Sequence, residues 1–215
     1  MKQFFITGTD TDCGKTYVLG SLLNYLNQTY KAQALKPLAS GCDEINGQLI
    51  SQDVIRLQRY NADPNLTINR WQYLPPISPH LAAQFAGEVI TVDEIAQFCQ
   101  QDVFTRFDYL LIEGAGGLLV PLNSQETWLD FLKLTRIPVI LVVGMRLGCI
   151  NHALLTDAVL KANQITCFGW VANYLDNNML VVEENIATLE ARMHMPLIGR
   201  VYNDKKALDC FTFTL

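Results

Sequence analysis

The sequence predicts an α/β fold: a doubly wound, mostly parallel sheet with helices on both faces. Three observations point to it. Short, almost continuously apolar runs, such as 107–112 and 138–143, have the pattern of strands buried on both sides. Between them lie longer segments whose apolar residues recur at helical spacing. Glycine-rich turns, at Gly8–Gly14 and Gly114–Gly117, follow two of the apolar runs. Strand and helix in alternation imply right-handed crossovers and parallel pairing. At 215 residues the chain is at the upper end of single-domain size, so one domain over 1–215 is expected.

Taken in order, an apolar strand around Phe4–Ile6 opens the chain and runs straight into the first glycine turn. Val18, Leu19, Leu22, Leu23 and Leu26 then recur on one helical face, predicting a helix over about 14–29. A strand is expected over 32–38, closed by Lys36–Pro37, because proline suits a strand end. Residues 41–50 have loop composition, and 51–60 read as a helix. The stretch 61–79 is irregular and punctuated by Pro64, Pro75, Pro76 and Pro79. Helical patterns return over 79–86 and 92–104. A buried strand over 107–112 is closed by Glu113 and glycines, and a helix follows at 128–134. The remaining pattern is a strand at 138–143, a helix at 151–162, a strand at 166–172, a helix at 183–193 and a short strand at 197–201. Neither an internal repeat nor a low-complexity linker interrupts it.

Composition excludes several classes of function. Half the residues are apolar, 17% are charged and the net charge is −5, so no broad basic surface is available for nucleic acid. Anionic ligands must be met by a few placed lysines. The six cysteines include no C-x-x-C pair and are expected to be reduced, and the three histidines show no metal-ligand spacing. The longest apolar stretch, 137–143, is far too short to span a bilayer. With strand-like residues from the start and no secretory pattern, the cytoplasm is the expected compartment.

In an open parallel sheet, ligands bind outside the carboxyl ends of the strands, so residues just after each strand carry most weight. Gly8-Thr-Asp-Thr-Asp-Cys-Gly-Lys-Thr16 stands at the first of these positions, between a strand and a helix. Backbone N–H groups and the helix dipole favour oxyanions there. Lys15 is suited to neutralise β- and γ-phosphates, and the Thr16 hydroxyl to ligate Mg²⁺. The spacing departs from the usual Gly-x-x-x-x-Gly-Lys-[Ser/Thr], which needs glycine at position 9, where this chain has Thr9. Glu113 stands where an acid commonly holds the metal in such folds, the alternative being a solvated loop glutamate. Lys36 begins Lys-Pro-Leu-Ala-Ser40-Gly41, a lysine and a hydroxyl beside the expected γ-phosphate. A lysine snorkelling to water is its alternative. Asp53 opens a helix, where a carboxylate serves the dipole whether or not it also serves a metal. Asn173-Tyr-Leu-Asp176 faintly echoes the base-reading motif of GTP-binding domains, against the alternative of a turn asparagine. Two lysines, a serine, a carboxylate and several glycines at one edge suit phosphoryl transfer, in which a protein mainly positions groups and stabilises charge.

Six segments in register, the phosphate loop, Lys36–Gly41, Ser78-Pro-His80, Glu113–Gly117, Leu147-Gly-Cys-Ile-Asn-His152 and Trp170-Val-Ala-Asn173, resemble the dethiobiotin synthetases, P-loop NTPase-like enzymes of biotin synthesis. The likeness runs from about residue 3 to residue 175. It implies a cyclo-ligase reaction in which 7,8-diaminopelargonic acid takes up CO₂ as a carbamate. The γ-phosphoryl of ATP activates that carbamate as a mixed anhydride, and the second amine closes the ureido ring. By position, the resemblance makes Thr16, Asp53 and Glu113 the Mg²⁺ set and Lys36 the catalytic lysine, with Lys15 and Thr11 near the reacting groups. ATP contacts would come from Asp12, Cys13, Gly14, Lys15, Thr16, Tyr17, Asp53, Glu113, Gly114, Ala115, Gly116, Asn173 and Tyr174. Ser40 and the segment Leu147, Gly148, Cys149, Ile150 and Asn151 would meet the substrate, the latter across a homodimer interface. The C-terminus departs from the family, since Arg200–Asp204 lacks the usual proline near the base and the apolar tail 211–215 has no assigned place. A partition-type ATPase switch is the rival reading. Its signature lysine would stand at position 10, where this chain has Asp10, and Tyr174 likewise breaks the GTP motif.

Overall fold

The computed structural model describes residues 1–175, 179–202 and 210–211. Asp176, the end of the base-motif echo, lies outside the described residues, as do 203–209 and 212–215. The core is a six-stranded sheet of β1 (Lys2–Gly8), β2 (Ala32–Leu35), β7 (Tyr109–Gly117), β8 (Val139–Met145), β9 (Cys167–Tyr174) and β10 (Leu197–Val201), in the order β10-β9-β8-β1-β7-β2. Every pair in it is parallel. The chain passes from β1 to the β2 side and later returns past β1 to the β8 side. The topological switch point therefore falls at β1, between β7 and β8, which is where such sheets bind ligands.

Successive strand residues point to opposite faces. Phe4 and Phe5 are nonetheless both buried, so both faces of β1 are covered. Phe5 packs on Trp128 and Phe131 of α5 (Trp128–Thr135), and Phe4 packs edge-on to Phe168 of β9. The helix after β1, α1 (Lys15–Leu26), buries Val18, Leu19, Leu22, Leu23 and Leu26, the stripe that its spacing predicted. It packs on α2 (Gln52–Gln58), which Ser51 caps by accepting from the Val54 N–H. On the far side of the sheet, α6 (Cys149–Ala162) packs on α7 (Val182–Arg192).

Several boundaries differ from the sequence pattern. The strand expected over 32–38 breaks at Lys36–Pro37, and Leu38–Ser40 become β3, which pairs with β6 (Trp71–Tyr73) away from the main sheet. Proline cannot donate to the ladder, and Asn69 clips the break by donating its side-chain N–H to Lys36 O at 2.6 Å and Pro37 O at 3.2 Å. Residues expected to be loop contain a hairpin of β4 (Asp43–Ile45) and β5 (Gln48–Ile50), turned by Asn46 and Gly47, both at positive φ. The helix expected over 92–104 is α4 (Val92–Cys99) followed by a 3₁₀ turn at 102–104, and α3 spans Pro79–Phe85. β7 does not stop at Ile112. It runs on through the glycines, with Glu113 opposite Ile6 and Gly117 opposite Gly8 across a register shift, so Glu113 lies inside a strand. The helix expected from 151 begins at Cys149, which places Cys149, Ile150 and Asn151 in its first turn. In the apolar tail, Phe211 bridges Gly199 in antiparallel fashion, is buried and meets the Tyr25 ring at 5.5 Å. Among the described residues no helix is long and apolar enough to cross a membrane. Cys13, Cys42, Cys99, Cys149 and Cys167 are free thiols.

Candidate functional site

The loop between β1 and α1 is held by its own glycines and by one distant asparagine. A Cβ on Gly8 would lie 2.2 Å from Cys13 Sγ, so only glycine lets the loop fold back on the strand end. Gly14, which precedes α1, has φ 85°, and a Cβ there would lie 2.0 Å from Asn173 Nδ2. That Nδ2 donates to Cys13 O at 2.9 Å, tying the loop to the end of β9. Asp12 takes a left-handed conformation at φ 56° and is exposed, whereas Cys13 is buried. Lys15 folds back over the loop and donates Nζ to Asp10 O at 3.0 Å. The Thr11 N–H donates to Asp10 Oδ1 at 2.8 Å. Thr11 Oγ1 lies 3.6 Å from where a Gly116 Cβ would stand, so the loop and the β7 glycines face one another.

Beside the loop, β7, β2 and α2 bring three charged side chains together. Glu113 is 0% exposed, and its Oε1 accepts from Lys36 Nζ at 2.5 Å and from Thr16 Oγ1 at 2.8 Å. Lys36, 4% exposed, also reaches Gly114 O at 3.4 Å and Asp53 Oδ2 at 3.4 Å. Burial by itself lowers the Lys36 pKa. The negative charges of Glu113 and Asp53, with their hydrogen bonds, outweigh it and leave the ammonium raised above its ordinary value. The first turn of α2 thus delivers Asp53 to a cluster as well as to its own dipole. Glu113 Oε2 is buried with no hydrogen-bond partner among the described residues, and so is Asn173 Oδ1. An orphaned buried acceptor is costly, and each stands where an incoming donor or cation would satisfy it.

Farther along the edge, Ala115 O accepts the Trp128 indole N–H at 3.0 Å, which pins the glycine-rich end of β7. Tyr17 is exposed and donates its hydroxyl to Tyr202 O at 3.1 Å. Tyr174 stacks on Tyr202 with ring centroids 4.0 Å apart and donates to Glu183 Oε1 at 2.6 Å. Burial first, and then that bond, raise its phenol. Among the described residues, neither Ser40 nor the 147–151 segment bonds to the lysine–carboxylate cluster. Ser40 ends β3, and Leu147 is 100% exposed ahead of Gly148, where φ is 93°. Sequence reasoning missed Arg146. It follows β8 directly and donates to Asp10 Oδ2 at 2.5 Å, with His152 Nδ1 4.0 Å from the same oxygen. Its place at a strand end was the available signal.

A parallel sheet with its switch point at a glycine-lysine-threonine loop, and with a buried acid on the adjacent strand, is the P-loop nucleotide-binding class. Solved structures agree on the fold. The ParA family ATPase of Chlorobium tepidum superposes with a TM-score of 0.55 at 12% identity, over 97% of this chain and 89% of that one. The septum site-determining protein MinD of Pyrococcus horikoshii, complexed with Mg-ADP, gives 0.53 at 18% identity, over 96% and 86%. A family described as an AAA domain matches residues 2–208. Much nearer in sequence is the ATP-dependent dethiobiotin synthetase BioD of Legionella pneumophila strain Corby, 53% identical over 97% of both chains. The enzyme of the same name from Pseudoalteromonas translucida is 43% identical over 93% of this chain and 89% of its own. The chain belongs to the ATP-dependent dethiobiotin synthetase family.

A divalent cation goes with that class, and the donors present suit a hard one. Thr16 Oγ1, the Asp53 carboxylate and the orphaned Glu113 Oε2 are all oxygen, the preference of Mg²⁺. Among the described residues no three His, Cys, Asp or Glu side chains converge, so the fit is that of an ion sharing its shell with water and phosphates rather than of a closed protein cage.

Proposed function

We propose that this protein catalyses the ATP-dependent carboxylation and ring closure of 7,8-diaminopelargonic acid to dethiobiotin. The observation that carries the reading is the Lys36–Glu113–Thr16 cluster beside the Gly8–Thr16 loop, in a chain of this family. It puts a buried cation next to a phosphate cradle.

The residues divide the work as follows. Gly14, Lys15, Thr16 and the loop N–H groups receive the β- and γ-phosphates, and Lys15 exchanges its contact with Asp10 O for a phosphate oxygen. Asn173 Oδ1, satisfied by no protein donor among the described residues, suits the exocyclic amine of adenine. Tyr17 and Tyr174 flank that end of the crevice. The diamine carbamate must approach the γ-phosphoryl group although both are anionic, a repulsion of roughly 4 kcal/mol per unit pair at 4 Å near a surface. Lys36 and Lys15 offset that repulsion and stabilise the charge shifted to phosphate oxygens as the carbamate oxygen attacks the γ-phosphorus, the bond to the β–γ bridging oxygen breaks and ADP leaves. Thr16, Asp53 and Glu113 would hold Mg²⁺, which when bound supplies further positive charge at the phosphates. Thr11, beside Gly116, adds a hydroxyl to the same mouth. The second amine then attacks the carbamoyl carbon, the C–O bond to phosphate breaks, the amine loses a proton to the departing phosphate or to water, and the ureido ring closes. Ser40 and the first turn of α6, residues Cys149, Ile150 and Asn151 behind Leu147 and Gly148, take the remainder of the diamine. A helix N-terminus suits its carboxylate. In this reading residues 1–215 act as one domain, two copies pair across α6, and the protein works in the cytoplasm.

The test supplies diaminopelargonate, bicarbonate, Mg²⁺ and ATP and follows phosphate together with the ureido product. Phosphate release that rises with the diamine and matches product is the expected result. Release indifferent to the diamine would sink the ligase reading and favour a nucleotide switch. Sedimentation as a monomer at micromolar concentration would remove the shared site.

A further inference from the structure

The point at which the two crevice carboxylates converge is already filled by a cation of the protein. Lys36 Nζ lies 2.5 Å from Glu113 Oε1 and 3.4 Å from Asp53 Oδ2, and Thr16 Oγ1 donates to the same Glu113 oxygen at 2.8 Å. Two of the three side chains that would hold Mg²⁺ therefore contact one ammonium, and the third, Thr16, shares a Glu113 oxygen with it. Lys36 is almost fully buried and Glu113 completely so, leaving little water to screen a second positive charge at that spot. The Lys36 Nζ contact with Gly114 O is long, at 3.4 Å, so the carboxylates are its main anchors.

We propose that Lys36 is the resident counter-ion of the metal locus, and that a divalent cation binds by displacing its ammonium from Glu113 and Asp53. The two cations exclude one another from the same oxygens. The displaced Nζ leaves β7 and is free to turn toward the phosphate loop beside it, whose Thr16 shares Glu113 with it. The exchange keeps the buried carboxylates compensated at every stage, which matters because an uncompensated buried charge is strongly destabilising. It also makes the ordering reciprocal. Whatever holds Lys36 on Glu113 weakens metal binding, and metal binding weakens that ion pair by the same factor. The inference rests on the assignment of Thr16, Asp53 and Glu113 as the metal set made above.

The experiment measures Mn²⁺ binding to the full chain without nucleotide, by electron paramagnetic resonance, in wild type, Lys36→Met and Lys36→Arg. Removing the ammonium should tighten Mn²⁺ binding by about tenfold or more, a shift easily read in Kd. The arginine variant, which keeps a charge at the site, should not gain. Lys36→Met leaves two carboxylates unpaired and could fold poorly, so a second measurement uses wild type alone. With ¹⁵N-labelled lysine, the Lys36 ammonium signal should move as Mg²⁺ saturates. A methionine variant that binds Mn²⁺ no more tightly than wild type, or an ammonium signal unmoved at saturating Mg²⁺, overturns the exchange. So does a failure of wild type and both variants to bind Mn²⁺, which removes the metal set itself. Product formation is scored separately. Exchange without diamine-dependent product leaves the cation locus standing and sinks the ligase, and product without exchange does the reverse.

Discussion

Glu113 and Asp157 are both buried carboxylates, and they end up in opposite states. Glu113, in β7 at the carboxyl edge of the sheet, has one oxygen shared between Lys36 and Thr16 and the other without a partner among the described residues. Asp157, on α6, has Oδ2 taken by His194, whose ring Nδ1 lies at 2.6 Å and whose backbone N–H lies at 3.4 Å. Lys161 then bonds the other ring nitrogen of His194 and closes the chain. The cluster borders a cavity of about 360 Å³ that also exposes Cys167, whose thiol burial and then Asp157 push up to about 12. A buried acid whose donors all come from the protein ties two elements together. One that keeps an acceptor in reserve at a switch point is prepared for something else.

That contrast can be broken from either side. The largest effect is expected from Glu113→Ala, which leaves the Lys36 ammonium buried with only Asp53. The cost should approach 3–5 kcal/mol, as for other broken buried pairs, read from the urea midpoint. Lys36→Ala comes next, with turnover down by about 10²–10³-fold and nucleotide affinity changed only a few-fold, since Lys15 and the loop remain. Near-normal turnover in that variant would remove Lys36 from the chemistry. Asp157→Ala should cost about 0.5–1.5 kcal/mol of stability through the lost hydrogen bonds to the half-exposed His194, yet leave nucleotide binding as in wild type. Weakened nucleotide binding there would dissolve the distinction between the two clusters. The smallest effect concerns pH. Because the Lys36 pKa is raised in the folded state, its pair contributes fully below the ordinary value of 10.5 and is lost as pH rises through the higher folded value. The stability difference between wild type and Lys36→Met should therefore be flat at neutral pH and shrink only above about 10.5.

Much of this was legible before any coordinates. The α1 stripe, the buried runs of β1, β7 and β8, and the glycine-lysine-threonine loop are local patterns, fixed by side-chain periodicity and by turns that only glycine can make. The misreadings were also local choices, but overruled from a distance. Residues 32–38 look like one strand, yet Asn69 captures the carbonyls of Lys36 and Pro37 and turns the chain into a second, smaller sheet. Glu113 looks like the first residue after a strand, but pairing with β1 extends β7 past it. Arg146 carried no motif beyond its place at a strand end, and its pairing with Asp10 emerged only in the fold.

The sequence by itself determined that strands and helices alternate, that a phosphate-binding loop follows the first strand, and which residue types stand at the strand ends. It could do so because spacing, glycine content and strand-to-helix turns are properties of short stretches. Only the tertiary structure decided that Lys36 shares an oxygen of Glu113 with Thr16, across 77 and 97 residues of chain, and that Asn173 holds the loop from 160 residues away. Those meetings are set by strand order. The crossovers place β2, β7, β1 and β9 in one sheet with their carboxyl ends aligned, and no periodicity within any single segment records which of those ends become neighbours.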